Sequence, residues 1–388
     1  SALLAAASSA SAAGGIVAGD WTLDIGGIVN MYATHNKHSG NSAGVDANGG
    51  LTAAGNQGAA PKLANITTGL LPNYLTVSGK TRQNDLDVGF TISMQPGGST
   101  NSGASGGGSN ENRQQFLTFG DASWGSIKLG KDLGIFASDA ILNDMTLLGV
   151  GAGAAAVGNT TLGRIGYGYQ YADWKSQIAY TSPNFAGFSF TAGVTQPWSA
   201  GRAVPSTGLT DNASTVYQNQ TEPAFEAKAS YSFSVDAVSG KVWASGITQN
   251  VDVSTTENHT AKAGDLGINL NAAGFGLTGY YGEGQGTGML GQMNDATAVR
   301  NNKDWYAQAT YALPGVGTKV GVSYGESQQD TNNAKTTEKK NEMWTVGAYH
   351  PLTKHVNLVA EYSEAKNLVT GSATTKSDTI SAGAILFF

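Results

Sequence analysis

TISAGAILFF, residues 379–388, ends the sequence on a period of two. Ile380, Ala382, Ala384, Leu386 and Phe388 share one parity, and Thr379, Ser381 and Gly383 hold the other. This is the pattern of a β-strand with one apolar face and one face that tolerates polar groups. Chain ends ordinarily fray into water, so an apolar terminal strand requires both a neighbour to pair with and an apolar medium to face.

The same rhythm runs back through the chain. In LDVGFTISMQ, residues 86–95, Leu86, Val88, Phe90, Ile92 and Met94 alternate with Asp87, Gly89, Thr91 and Ser93. A short turn, Gln83-Asn84-Asp85, joins this segment to YLTVSGKTR. DWTLDIGGIVNMYA places Trp21, Leu23, Ile25, Gly27, Val29 and Met31 on one parity. Further pairs follow to the end of the chain, and the reading gives about sixteen strands. Short turns at 236–240 and 314–316 swap with long polar loops at 35–73, 195–222, 284–302, 327–341 and 366–375. One stretch, residues 132–163, is apolar without alternating.

Long and short connections alternating over an even number of strands mark an outer-membrane barrel. Hydrocarbon cannot satisfy backbone N–H and C=O groups, so a sheet persists there only without edges. The last strand is therefore expected to pair with the first, its apolar parity toward lipid and Phe388 at an interface. A β-sandwich strand buried on one face alternates identically; the number of strands and the spacing of the loops favour the barrel. The fold class expected is an all-β, 16-stranded antiparallel transmembrane β-barrel.

Composition agrees. Charged residues make up 13% of the 388, against roughly 25% in an average soluble domain. The chain holds 54 Gly, 15 Tyr, 12 Phe and 7 Trp. No apolar run reaches the length of a transmembrane helix. There is no Cys, which excludes disulfides, thiolate metal sites and cysteine nucleophiles. A formal charge of −6 argues against nucleic acid as a partner and hints at a mild cation preference in any pore. SALLAAASSASAAGG, with its small-x-small site at Ala10-Ser11-Ala12, reads over residues 1–12 as a signal-peptide remnant ahead of a barrel spanning 20–388.

Two longer segments carry a resemblance. YTSPNFAGFSFTAGV, residues 180–194, and RQQFLTFGDASWGSIKLGKD, residues 113–132, resemble the trimeric general diffusion porins of Gram-negative bacteria, as does the terminal Phe388. The resemblance implies a homotrimer in outer-membrane lipid, each barrel a water-filled channel for ions and small hydrophilic solutes, without a cofactor. It also implies a third external loop folded inward, here about 132–171, offering acidic residues to a basic wall. Asp132, Asp139 and Asp144 fit the acidic part. For the wall, strand parity turns Lys80, Arg82, Lys128 and Lys175 inward opposite Val77, Ile127 and Ile178. Arg113 shares the parity of Leu117 and Phe119 but lies near a strand end, where it can snorkel. A latch formed by the Gly-rich loop 96–112 on a neighbouring subunit is a further expectation.

Other motifs carry less. GASGG, residues 103–107, matches G-x-S-x-G but sits in a Gly/Ser loop rather than between strand and helix. GVGAGA, residues 149–154, lacks the following helix and acid of a dinucleotide site, and reads as a tightly packed part of the inward loop. His35 with His38, and His350 with His355, show no third ligand by spacing, so no metal site is expected. The alternatives left open are a substrate-selective porin, a barrel hydrolase and an adhesin.

Overall fold

A computed structural model describes residues 15–39, 62–98, 110–153, 160–199, 220–291, 293, 299–332, 336–371 and 374–388. The expected leader remnant, the GASGG motif and most of the proposed latch lie outside the described residues. The described residues contain nineteen strand segments, most of them alternating apolar and polar side chains. These are β1 (Ile16–Ala18), β2 (Trp21–Ser39), β3 (Lys62–Thr67), β4 (Tyr74–Gln83), β5 (Leu86–Pro96), β6 (Asn110–Glu111) and β7 (Gln115–Asp121). Next come β8 (Gly125–Leu133), β9 (Trp174–Thr181), β10 (Phe188–Thr195), β11 (Ala224–Val235), β12 (Val238–Asp252) and β13 (Asn258–Ala272). The last are β14 (Phe275–Gln285), β15 (Asn301–Ala312), β16 (Lys319–Gln329), β17 (Lys339–Pro351), β18 (Val356–Val369) and β19 (Thr375–Phe387).

All pairings are antiparallel, and the wall has sixteen positions. β3 and β4 share one position beside β2, β6 and β7 share one beside β5, and β1 is a short hook folded back onto the start of β2. β19 pairs with β2 from Lys376↔Ser39 to Phe387↔Ile28, so the sheet is closed. The terminal residue completes the seam: Gly27 N–H donates to the Phe388 carbonyl at 2.9 Å, and Phe388 N–H donates back at 3.1 Å. Gly27 is required there, since a Cβ would meet the Phe388 ring at 2.6 Å and overlap the Tyr74 carbonyl.

The strands present two faces. Ile25, Leu266, Val322 and Ile380 are each at least half exposed on the outside, as suits a surface in contact with hydrocarbon. Ser323, Thr345, Ser363 and Thr379 are buried on the inside. Among the described residues no helix is long and apolar enough to cross a membrane. Residues 35–39 and 62–67 extend the sheet where the sequence suggested only a loop. Both faces are polar in this part of β2, so no apolar alternation flags the strand; it is held by ladder bonds to β3 and β19.

The interior is occupied by residues 134–153 and 160–173, which lie between β8 and β9 in the chain and turn inward. They contain a short helix, α1 (Ser138–Leu142), and a 3-10 turn at Met145–Leu148. Their apolar side chains pack on the inside of the wall: Ala140, Ile141, Leu147, Ile165 and Tyr169 form one cluster with Trp243, Tyr280 and Tyr306. Among the described residues, a large buried cluster therefore lies between loop and wall, within the barrel.

Candidate functional site

A loop crossing a water-filled lumen exposes backbone groups that the wall must satisfy. Two buried glutamates on the wall do so. Glu226, on β11, accepts the N–H groups of Ile135 and Phe136, both at 2.8 Å, as well as the Thr195 hydroxyl at 2.8 Å and the Lys175 ammonium. Glu361, on β18, accepts the N–H groups of Val150 at 2.8 Å and Gly151 at 3.0 Å, and the Tyr349 hydroxyl at 2.7 Å. Each carboxylate thus holds two consecutive N–H groups, one pair near the start of the loop and one near its middle. Gly149 beside Glu361 has no room for a side chain, because a Cβ would overlap the carboxylate.

Between these grips the wall supplies neutral partners. Tyr306 donates to the Ala140 carbonyl at 2.9 Å, and Gln308 accepts Met145 N–H at 2.7 Å while donating to the Asn143 carbonyl at 3.1 Å. Tyr32 donates to the Leu148 carbonyl at 2.6 Å. On the return of the loop, buried Arg164 donates to the Met343 carbonyl at 2.9 Å and to the Ser323 hydroxyl.

The loop makes ion pairs with the wall at Asp139, in α1. It pairs with the Lys228 ammonium at 3.3 Å and with that of Lys241. The two lysine side chains are about a third exposed to the lumen or less, while Asp139 is buried. Burial by itself raises an aspartate pKa, but the two ammoniums outweigh it and hold Asp139 below its ordinary range. Asp265, opposite Ser245 on the next strand, adds a second carboxylate beside this group, so both charge signs meet here. Lys128 and Asp132, paired on β8, add a second polar contact on the wall; the Lys128 ammonium also lies 4.7 Å from the Phe116 ring centre.

A closed sixteen-position barrel narrowed by an inward loop is the architecture to which the family comparison corresponds. A family model described as "Gram-negative porin" matches residues 1–369. The chain belongs to the Gram-negative porins. It is a channel of the outer membrane for passive diffusion. The porin is similar in structure to the outer membrane channel DcaP of Acinetobacter baumannii, with TM-score 0.69 and 15% identity over 97% of this chain and 100% of that one. It is also similar to an anion-selective porin from Comamonas acidovorans, with TM-score 0.58 and 16% identity over 95% and 100%. A third likeness is to Salmonella typhi OmpF in complex with daunomycin, with TM-score 0.59 and 16% identity over 96% and 99%. At these identities the likeness speaks to the fold. No curated protein matches the sequence.

Within this porin the expected site residues fall into separate groups. Lys80, Arg82, Lys128 and Lys175 take the inward parity. Lys80 and Arg82 lie at the short-turn end, where Arg82 pairs with Asp87 at 2.8 Å and Asp121 at 2.9 Å. Lys175 is buried against Glu226, its ammonium 3.3 Å from the Trp198 ring centre. Arg113 is buried just before β7, paired with Glu111 at 2.8 Å and stacked on Trp174. Asp132 is on the wall strand β8. Asp144 is turned into the loop itself: it caps the 3-10 turn by accepting Thr146 N–H at 2.9 Å, and it also accepts the Thr146 hydroxyl at 2.6 Å and the Tyr169 hydroxyl at 2.8 Å. Asp139 is the acidic residue that meets wall lysines across a loop-to-wall gap, and those lysines are Lys228 and Lys241. Parity alone marks both, since Lys228 alternates with Phe225, Tyr231 and Phe233, and Lys241 precedes outward Val242. Among the described residues no three His, Cys, Asp or Glu side chains cluster as metal ligands.

Proposed function

We propose that the constriction of this porin is set by Asp139 on the inward loop with Lys228 and Lys241 on the wall. Lys128 and Asp132 contribute from β8, and Lys80 and Arg82 line the approach from the turn end. Small hydrophilic solutes and ions pass by diffusion through water, with no covalent step and no cofactor. The observation that carries this reading is the loop itself, gripped by Glu226 and Glu361 and ion-paired at Asp139. Opposed charges across a narrow lumen create a transverse field that orients dipolar solutes and tunes ion preference.

The same reading includes a homotrimer in outer-membrane lipid. The form is consistent with a structural relative at TM-score 0.51, the trimer form of OmpT from Vibrio cholerae, 12% identical over 95% of this chain and 99% of that one.

Planar-bilayer recording tests both parts. Stepwise insertion in threes is expected, and the reversal potential in a salt gradient should shift toward anions in Asp139→Asn and toward cations in Lys228→Gln. Single unitary steps would remove the trimer. A reversal potential indifferent to both substitutions would move the constriction elsewhere, and absence of conductance from folded protein would remove the open channel.

A further inference from the structure

At one position the barrel wall gives up part of its own chain to the lumen. β4 pairs with β2 up to Tyr74↔Ile28, and β3 takes over from Thr67↔Tyr32. Between these pairs three residues of β2, Val29, Asn30 and Met31, face residues 68–73, six against three. The sequence there, Thr68-Gly69-Leu70-Leu71-Pro72-Asn73, cannot continue the ladder. Pro72 has no N–H to give, and the surplus residues have no room in the plane of the sheet. The segment turns inward instead. Hydrocarbon offers its backbone no partner at this depth, and Asn30, 2% exposed, supplies the missing bonds. Its carboxamide accepts Gly69 N–H at 2.9 Å and donates to the carbonyls of Leu71 at 3.0 Å and Pro72 at 3.2 Å. Its backbone N–H donates to the Asn73 side-chain oxygen at 2.7 Å.

What the segment reaches is the inward loop, at both of its legs. Leu70 N–H donates to the Gly149 carbonyl on the outgoing leg at 2.9 Å, and the Gly69 carbonyl accepts Thr161 N–H from the returning leg at 3.0 Å. The Leu70 side chain is buried with Ala140, Ile141, Leu147 and Ile165 of the loop. Two glycines make room for this contact. A Cβ on Gly69 would overlap the Gly149 carbonyl, and one on Gly163 would overlap the Leu70 side chain. Residues 68–73 thus form a wedge from wall to loop, bridging the two legs. Glu361 grips the next two residues, Val150 and Gly151, from β18, so the middle of the loop is held from two separate parts of the wall.

We propose that this wedge sets how far the inward loop stands into the lumen, and that Asn30 is the positioning residue that holds the wedge. The hydrogen bonds of the Asn30 side chain end on Gly69, Leu71 and Pro72, so it acts on the pore at one remove, through Leu70 and Gly69. This rests on the reading of the loop as the constriction. It adds a wall element, far in sequence from the loop, whose release widens the passage without removing a charge.

The test is single-channel recording of the full chain in planar bilayers, with neutral polymers of graded size added to find the largest that enters. Asn30→Ala and Leu70→Ala are compared with wild type. Asn36→Ala is the control, because Asn36 lies on the same strand and is as deeply buried, but its carboxamide bonds to Thr34 and Thr379 on the wall. Folding is verified by heat-modifiable gel mobility, and Leu70→Ala, which leaves the Asn30 bonds in place, carries the test if Asn30→Ala does not fold. Leaving buried backbone groups of the wedge unpaired should raise the occupancy of a released, higher-conducting level roughly tenfold or more, and larger polymers should enter. Asn36→Ala should lower thermal stability and leave both readouts at wild type. Unchanged conductance and polymer cut-off in folded Asn30→Ala and Leu70→Ala would overturn the proposal. An equal response in Asn36→Ala would overturn it too, by showing a general softening of the wall. Asp139→Asn, recorded alongside, separates the two failures: a shifted reversal potential there with no response to the wedge variants removes the wedge alone, and no shift removes the constriction reading with it.

Discussion

Among the described residues Glu361 has no cationic partner; it holds the loop through two backbone N–H groups and one tyrosine hydroxyl. Replacing it with Ala leaves those buried donors unpaired, at about 1–3 kcal/mol, and releases the middle of the loop. Glu361→Ala should therefore lower thermal stability and increase both unitary conductance and current noise; unchanged conductance would show that the loop holds its place without this contact. Asp139 gives a pH signature. Its folded-state pKa is depressed, so its ion pairs contribute fully above the ordinary aspartate range and are lost as pH falls through the lower folded value. The reversal potential should hold steady from pH 7 down to about 4 and move toward anion preference only below that. A change centred near pH 6 would point to another group. These roles were unequally legible in the sequence. Inward parity identified Lys128 and applied equally to Lys228 and Lys241, yet no local pattern reveals that α1 brings Asp139 to β11 and β12. Asp144 misled for the same reason, since a cap and a pore acid look alike until the loop's path is known.

At the scale of the strand, two-residue periodicity decides which substitutions matter. Leu266 lies near the middle of β13 and points outward. Leu266→Lys should cost about 2–4 kcal/mol, whereas Ser230→Lys on the inner face of β11 should cost little, as measured by urea unfolding in lipid vesicles. Equal costs would contradict the assignment of faces. The closing pair is similarly sensitive. Gly27→Leu would push a side chain into Phe388 and the Tyr74 carbonyl, and heat-modifiable mobility should show loss of folded barrel. Strands were readable because the bilayer demands one apolar face, a constraint that holds for every residue pair along the wall. The polar extension of β2 and the segment β3 escaped notice because above the membrane that demand lapses. The inward loop was visible only as a break in rhythm: Ala140, Ile141 and Leu147 are apolar for packing against Trp243 and Tyr306, not for lipid.

For the molecule as a whole, membrane and lumen reverse the usual arrangement of a protein. Lipid takes up the outer apolar surface, while the interior holds a packed loop and a charged passage. The whole-chain charge of −6 is therefore a poor guide to ion preference, which answers to the few groups beside the narrowest water. The β2–β19 seam has one more consequence, and it concerns time. Its partners, Ile28 and Phe387, are far apart in sequence, so this ladder cannot form until the strands between them have been made and delivered. Loop-closure entropy makes that encounter slow. Once joined, the sheet has no free edge from which to peel, and opening requires the rupture of a complete ladder in a medium that offers its backbone no substitute partners. Such a barrel persists through the height of its unfolding barrier, and its working life is better measured as a rate than as an equilibrium.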